Sequence, residues 1–438
     1  MFVLASHDRL WQNTGRRLLR GLTIEIPFQG LESVDAHAIA EAWAQNGLLP
    51  STSPGQPDPV KAVADQLEQS AHSLVDGQHA TLFGAVLDVR HGRDLSRRVA
   101  DLMNRLDQVH VRNDELPTLG DVFGGICLLQ DSCDRYGALG RGATRSFIAA
   151  MVGLNGVFAD GKILQLLGKE AATTYSGDRV YSRHPAIART VVEELRESGR
   201  LVGIARLVAM AGARLRDQGS IPDSDYRSAY LISKELREPT EALEAAKGAV
   251  LGAPQLLEPR VTLLSHWRKV DLNASFEYAK KLAPSIDSFR DYGAAARAYL
   301  NEYAQIAGAL GETQFGIGLC GLALSDGTGF VIDKKRAQYL LVSITRLAKQ
   351  MIGQNQKLGR SILDPSIILL DRIGGVETRE QFVGRYIVGE SVESTSSAIL
   401  CDSLRRALAP LVEAALPETG LPTTIRPKPT YNELARLG

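Results

Sequence analysis

The segment Gly156-Val157-Phe158-Ala159-Asp160-Gly161-Lys162-Ile163 matches the nucleotide-cradle spacing GxxxxGK. Phosphate cradles need Ser or Thr where Ile163 stands, to ligate magnesium, and a buried strand before the first glycine. An apolar helical run, Phe147 to Leu154, stands there instead, so the spacing reads as a turn between helices. No HExxH, GxGxxG, nucleophile elbow or paired-carboxylate signature accompanies it. His72, His79, His91 and His110 are spaced loosely in polar context, and no metal is expected at them. Asp101, Asp107, Asp114 and Glu115 read as solvated surface, and the basic run Arg90 to Arg98, interrupted by Asp94, as a solvated helix end. His184 is open to a different chemistry. It precedes Pro185, which opens a helical run at the position where a missing N–H costs nothing. Helix N-termini carry unpaired N–H groups and partial positive charge, so this corner suits an anion, and Arg183 adds a fixed charge. A capping or packing histidine is the competing reading.

The elements around that corner follow from pattern. Thr173 to Tyr181 places β-prone residues on both sides of Ser176-Gly177-Asp178, which predicts a hairpin. Three helical stretches, near 119–136, 142–153 and 160–170, precede it, and a helix from 185 to about 197 follows. Three helices, a β-wing and a further helix make a winged-helix arrangement over 118–198. Upstream, Phe2 to Ala5 reads as a short strand. Leu31, Val34, Ile39, Trp43 and Leu48 fall at helical spacing. The proline-rich stretch Ser51 to Pro59 is a loop, helices follow near 60–75 and 78–107, and the polar segment 110–117 reads as a boundary. From 200 to 350, helix follows helix with small residues on many faces, such as Ala205, Ala209, Ala242, Ala246 and Ala294 to Ala296. This predicts a TPR-like array of closely packed helices without a clean 34-residue period. Residues 355–416 add helices, and the four prolines after Leu416 predict an extended or disordered tail.

Composition narrows the function classes. The 438 residues suffice for two to four domains. Fifty basic against fifty acidic side chains remove the simplest case for a nucleic-acid or anionic-membrane binder. A DNA-reading winged helix would need a basic recognition helix, and Arg141 and Arg145 are the cations near 142–153. Nucleic acid is therefore an unlikely partner, and a transcription regulator ranks last. Cys127, Cys133, Cys320 and Cys401 form no CxxC, so zinc ribbons and a disulfide scaffold are excluded. No stretch reaches the roughly 20 apolar residues of a membrane span, and no signal-peptide core is present. A cytoplasmic protein with reduced thiols and no membrane partner is expected.

Four segments together resemble the distal half of STAND-type P-loop ATPases, the signalling class that includes apoptosome, plant immune-receptor and bacterial anti-phage proteins. FVLASHDRLWQ is similar to the late core strand and its sensor arginine, here Arg9, although Ser6-His7-Asp8 replaces the usual strand end. LTIEIPFQGLESVDAHAIAEAWAQNGLL and HATLFGAVLDVRHGRDLSRRV resemble the link to the helical lid and a lid helix. YSRHPAIARTVVEEL resembles the winged-helix motif whose histidine, here His184, contacts the β-phosphate of ADP in that family. Tyr181, Arg183, Ile187 and Ala188 are its other matching positions.

The resemblance implies a mainly α chain: a helical lid and a winged helix with one small β-wing, then a TPR-like array. The divisions expected are 1–30, a core-strand remnant and linker; 31–117, the lid-like region; 118–198, the winged helix; 199–350, the repeats; 351–416, a C-terminal helical region; and 417–438, the Pro-rich tail. It further implies that His184, Arg183 and Arg9 face a nucleotide. The Walker A and B core that would hold its phosphates is absent from these residues. Alone the chain is expected to bind no cofactor and to hydrolyse nothing; joined to an upstream NTPase core it would meet ADP or ATP. A protein ligand or effector is the expected partner of the repeats. The competing expectation is a nucleotide-free adaptor acting through protein–protein contacts.

Overall fold

A computed structural model describes residues 32–49, 58–72, 74–75, 78–79, 82–112, 115–135, 142–153, 161–169, 173–176, 179–182, 185–219, 232–375, 394–422, 425 and 430–438. The fold is mainly α with a small β-wing. Contacts divide the chain into two compact units, Met1–Leu95 and Ser96–Gly438. The boundary falls inside a long helix, not at the polar segment 110–117.

In the first unit, α1 (Ser33–Gln45) packs on α2 (Pro59–His72). Ala36 and Ala40 of α1 meet Val63, Ala64 and Leu67 of α2, with Trp43 at the edge. Alanines at i and i+4 present a flat strip that lets the second helix approach. Two short strands follow, β1 (Leu74–Val75) and β2 (Gln78–His79), paired antiparallel.

Helix α3 (Leu82–Asp107) carries the chain into the second unit. Residues 110–117 then hold structure that their polarity hides: β3 (His110–Arg112) pairs antiparallel with β4 (Glu115–Thr118). Next come α4 (Leu119–Arg135), β5 (Ala143–Thr144), α5 (Arg145–Met151), α6 (Gly161–Lys169), β6 (Thr173–Ser176), β7 (Arg179–Ser182) and α7 (Pro185–Glu197). The hairpin pairs Thr173 with Ser182 through to Ser176 with Arg179, the register that a two-residue connection sets. Two-residue β5 joins the other edge of β7, so the sheet order is β5-β7-β6. Thr144 then ends β5 and caps α5, its Oγ1 accepting the Phe147 N–H at 3.1 Å. Gly124 and Gly125 of α4 admit Leu195 of α7 and Met151 of α5; a Cβ there would lie 2.9 Å and 2.2 Å from those side chains.

From α8 (Leu201–Asp217) the chain is helical-repeat-like. After a 3-10 turn at Ile232–Lys234 come α9 (Pro239–Gly252), α10 (Glu258–Val270), α11 (Leu272–Leu282), α12 (Tyr292–Ala309), α13 (Thr313–Leu324), α14 (Lys334–Ile352) and α15 (Gln356–Gly374). Consecutive helices pack on each other, and α10, α12 and α14 also touch as a row. Each new helix thus buries the apolar face its predecessor leaves open. Asp271, Asp333 and Asn355 cap α11, α14 and α15.

The stack ends in a fold-back. Helix α16 (Ser397–Thr419) packs on both α13 and α15, running through Pro410 and Pro417 without ending. The segment expected to be extended closes as α17 (Asn432–Leu437), with Tyr431 and Leu434 buried in the same core. An Asp326 carboxylate oxygen accepts Thr430 Oγ1 at 2.8 Å and the Asn432 N–H at 2.9 Å. Buried Arg297 on α12 donates to the Ala323 and Phe330 carbonyls and to Glu433 of α17, at 2.6, 2.9 and 2.9 Å. Apolar burial holds the tail, and a charge-assisted contact sets its register. No helix among the described residues is long and apolar enough to cross a membrane.

Candidate functional site

The corner where the wing meets α7 is fixed from both sides. Ser182 ends β7 and is 2% exposed. Its N–H and Oγ both donate to Gln130 Oε1 on α4, each at 2.9 Å. One turn into α7, Arg189 Nε lies 3.8 Å from Oδ1 of Asp131, the residue after Gln130. Buried Gln130 therefore holds the exit of the wing, while an ion pair holds the start of the following helix. Between these fixed ends lie Arg183 and His184. Both, with Arg9, are outside the described residues.

A second anchored corner lies at the start of α8. Arg200 donates to Asp107 Oδ1 at 2.7 Å and to Asp121 Oδ1 at 3.0 Å, and its other nitrogen reaches Asp107 Oδ2. Thr118 Oγ1 adds a 3.2 Å bond to Asp107. Asp107 is thus no solvated surface acid: it ties the end of α3 to the starts of α4 and α8. Hydrogen bonding to Asp107, ahead of that to Asp121, raises the Arg200 pKa further.

The array carries a polar cluster that pattern reading did not single out. Lys234 of the 3-10 turn and Lys269 of α10 act on both His266 of α10 and Glu302 of α12, and Arg268 of α10 acts on Glu302. His266 is 7% exposed. Burial, then the fields of Lys269 and Lys234, lower its pKa from 6.5 to about 4, so the ring is neutral at pH 7. Burial also raises the pKa of Glu302 against the pull of Arg268, Lys234 and Lys269. Arg268 Nη2 stands 3.6 Å from Glu302 Oε2, an ion pair longer than a hydrogen bond. A signal was available: His266 lies in the run Leu263-Leu264-Ser265-His266-Trp267, where a polar residue must find partners. Nothing local says those partners sit on another helix.

Comparison of the chain with known protein families, curated proteins and solved structures finds no match. The geometry therefore carries the reading.

That geometry leaves little for chemistry at the other candidates. The run into Lys162 is preceded by α5, and Gly161 opens α6; residues 154–160 are outside the described residues. Among the described residues no three His, Cys, Asp or Glu side chains are grouped to hold a metal ion. Cys127, Cys320 and Cys401 are free and buried. Burial pushes the Cys320 thiol up to about 12 and the Cys401 thiol to about 11, so neither is a nucleophile at neutral pH.

Proposed function

We propose that this chain is the regulatory and sensing portion of a STAND-like, ATP-dependent cytoplasmic signalling protein. The observation that supports the reading is the order helix–strand–helix–helix–strand–strand with sheet order β5-β7-β6, an arrangement that a winged helix would have. In this reading α4 to α7 are the winged unit, and His184 and Arg183 meet the diphosphate of a nucleotide at the N-terminus of α7. Their neighbours support that role: the Gln130 and Asp131 contacts hold both flanks of the dipeptide, as an anion site on two connecting residues requires.

The helical array from α8 onward would be the sensor. Stacked helices offer an extended surface to a protein ligand. The winged unit would hold the ADP-bound off-state, and a ligand that prefers the on-state would shift the balance. Moving such an equilibrium from 1:99 to 99:1 takes a roughly 10⁴-fold difference in affinity between the two states. Nucleic acid fits less well. In this topology α6 would be the recognition helix, its Ile163 and Leu167 are buried, and Lys162 and Lys169 are its cations.

The test is the nucleotide content of the assembly purified from its native cells. Near-stoichiometric ADP is expected, lost when His184→Ala is introduced. A wild-type assembly that carries neither nucleotide nor a P-loop subunit would leave the adaptor reading, in which the same array acts through protein contacts alone.

A further inference from the structure

The cluster on α10 contains an ion pair that is made badly. Arginine and carboxylate normally meet through parallel hydrogen bonds of about 2.7–2.9 Å. Arg268 and Glu302 instead approach to 3.6 Å, and Arg268 Nε and Glu302 Oε2 are both buried without a hydrogen-bond partner. The guanidinium Nε–H is therefore left without an acceptor. Two further cations reinforce it. Lys269 is next in sequence, and Lys234 arrives from the 3-10 turn that precedes α9; both are exposed and act on Glu302 and on His266. The positive ends at the close of α10 suit its own C-terminal dipole, which explains Arg268 and Lys269 but not Lys234. Convergence of three cations from two separate elements on one slack carboxylate is what a site for an exchangeable acid looks like.

We propose that Lys234, Arg268 and Lys269 bind an oxyanion, a carboxylate or phosphate carried by a protein partner, and that Glu302 occupies their field when no partner is bound. An incoming oxyanion pairs first with the two exposed lysines and the exposed part of the Arg268 guanidinium, and the buried Nε–H comes within its reach only as Glu302 gives way. Val270, beside Lys269, is 44% exposed and offers the partner an apolar contact next to the charges. The proposal deepens the reading of the array as a recognition surface and rests on it, but needs no nucleotide.

The test uses the full chain at fixed ionic strength, with fluorescence anisotropy of two labelled peptides: hexaglutamate, and an otherwise uncharged hexapeptide bearing one phosphoserine. Saturable binding of at least one probe is expected, and the tighter probe tells carboxylate from phosphate. Lys234→Ala/Lys269→Ala, which alters only exposed side chains, should weaken binding at least about tenfold. Glu302→Gln, which keeps shape and removes the competing charge, should tighten it several-fold. No saturable binding of either probe overturns the proposal, as does wild-type affinity in either variant. A purely structural ion network would lose stability in Glu302→Gln without gaining affinity. Neither variant touches His184, so ADP retention in the native assembly is unchanged whichever way the peptides behave, and the two readings fail separately.

Discussion

His266 shows how one side chain reports its whole surroundings. It is buried on α10, flanked by Lys269 on its own helix and Lys234 on the 3-10 turn, with Glu302 of α12 in the same cluster. The folded state keeps the ring neutral down to about pH 4, whereas the unfolded chain protonates it near 6.5. The unfolded state therefore binds more protons across that window, and His266 costs stability as pH falls from 6.5 toward 4. Glu302 acts in the opposite direction, because its raised pKa makes the folded state take up a proton first. Comparing the wild type with His266→Gln isolates the histidine. Urea unfolding at pH 7.5 and pH 5 should show a steeper loss in the wild type, by up to about 2 kcal/mol before solvent screening reduces it. Parallel slopes for the two proteins would contradict the assigned burial. The sequence signals only that His266, in a largely apolar run, needs partners; which partners, and on which elements, was not legible. Arg297, inside Ala294-Ala295-Ala296-Arg297-Ala298, is the same case: its anionic partner Glu433 lies 136 residues on. A partner that distant is set by the tertiary fold, not by helical spacing.

At the scale of elements, the small-residue stripes were legible and their reason is visible. A Cβ on Gly248 of α9 would lie 2.2 Å from the Arg206 carbonyl oxygen of α8, and one on Gly252 would lie 2.1 Å from that of Met210. The two helices approach backbone to backbone, and no side-chain rearrangement can make room. Gly248→Ala and Gly252→Ala should each destabilise by about 1–3 kcal/mol, although alanine is the better helix former. Gly203 on α8 faces open space, so Gly203→Ala should stabilise by about 0.5–1 kcal/mol. Thermal unfolding of the three variants checks the sign in each case; a stabilised Gly248→Ala would mean that α8 and α9 do not pack as described. The β6–β7 hairpin and the start of α7 at Pro185 were legible too, because turn chemistry and an N1 proline are local signals. Strands β3, β4 and β5 were not, since two to four residues carry no usable period. Helix α16 was missed at its end because Pro417, the first of the four tail prolines, read as a breaker. Its packing on α13, where Gly318 and Gly321 face Leu411, Leu408 and Val412, holds the helix through Pro410 and Pro417.

For the whole molecule, zero net charge and a mainly α composition excluded classes without selecting one. The structure adds order: helices around a small β-wing, a corner pinned by Arg200 to Asp107 and Asp121, and then a helical array that folds back on itself. That order supports a reading in which the second part senses and the first part responds. The reading gives His184 one specific task, to hold the diphosphate of ADP at the N-terminus of α7. The dissociation rate of a fluorescent ADP analogue from the native assembly tests this most directly, in wild type and in His184→Ala. Losing one charge-assisted contact to a phosphate, worth about 1.5–3 kcal/mol, should speed release about ten- to a hundredfold. Identical release rates in the two proteins would remove His184 from the mechanism, and with it the nucleotide-sensing account.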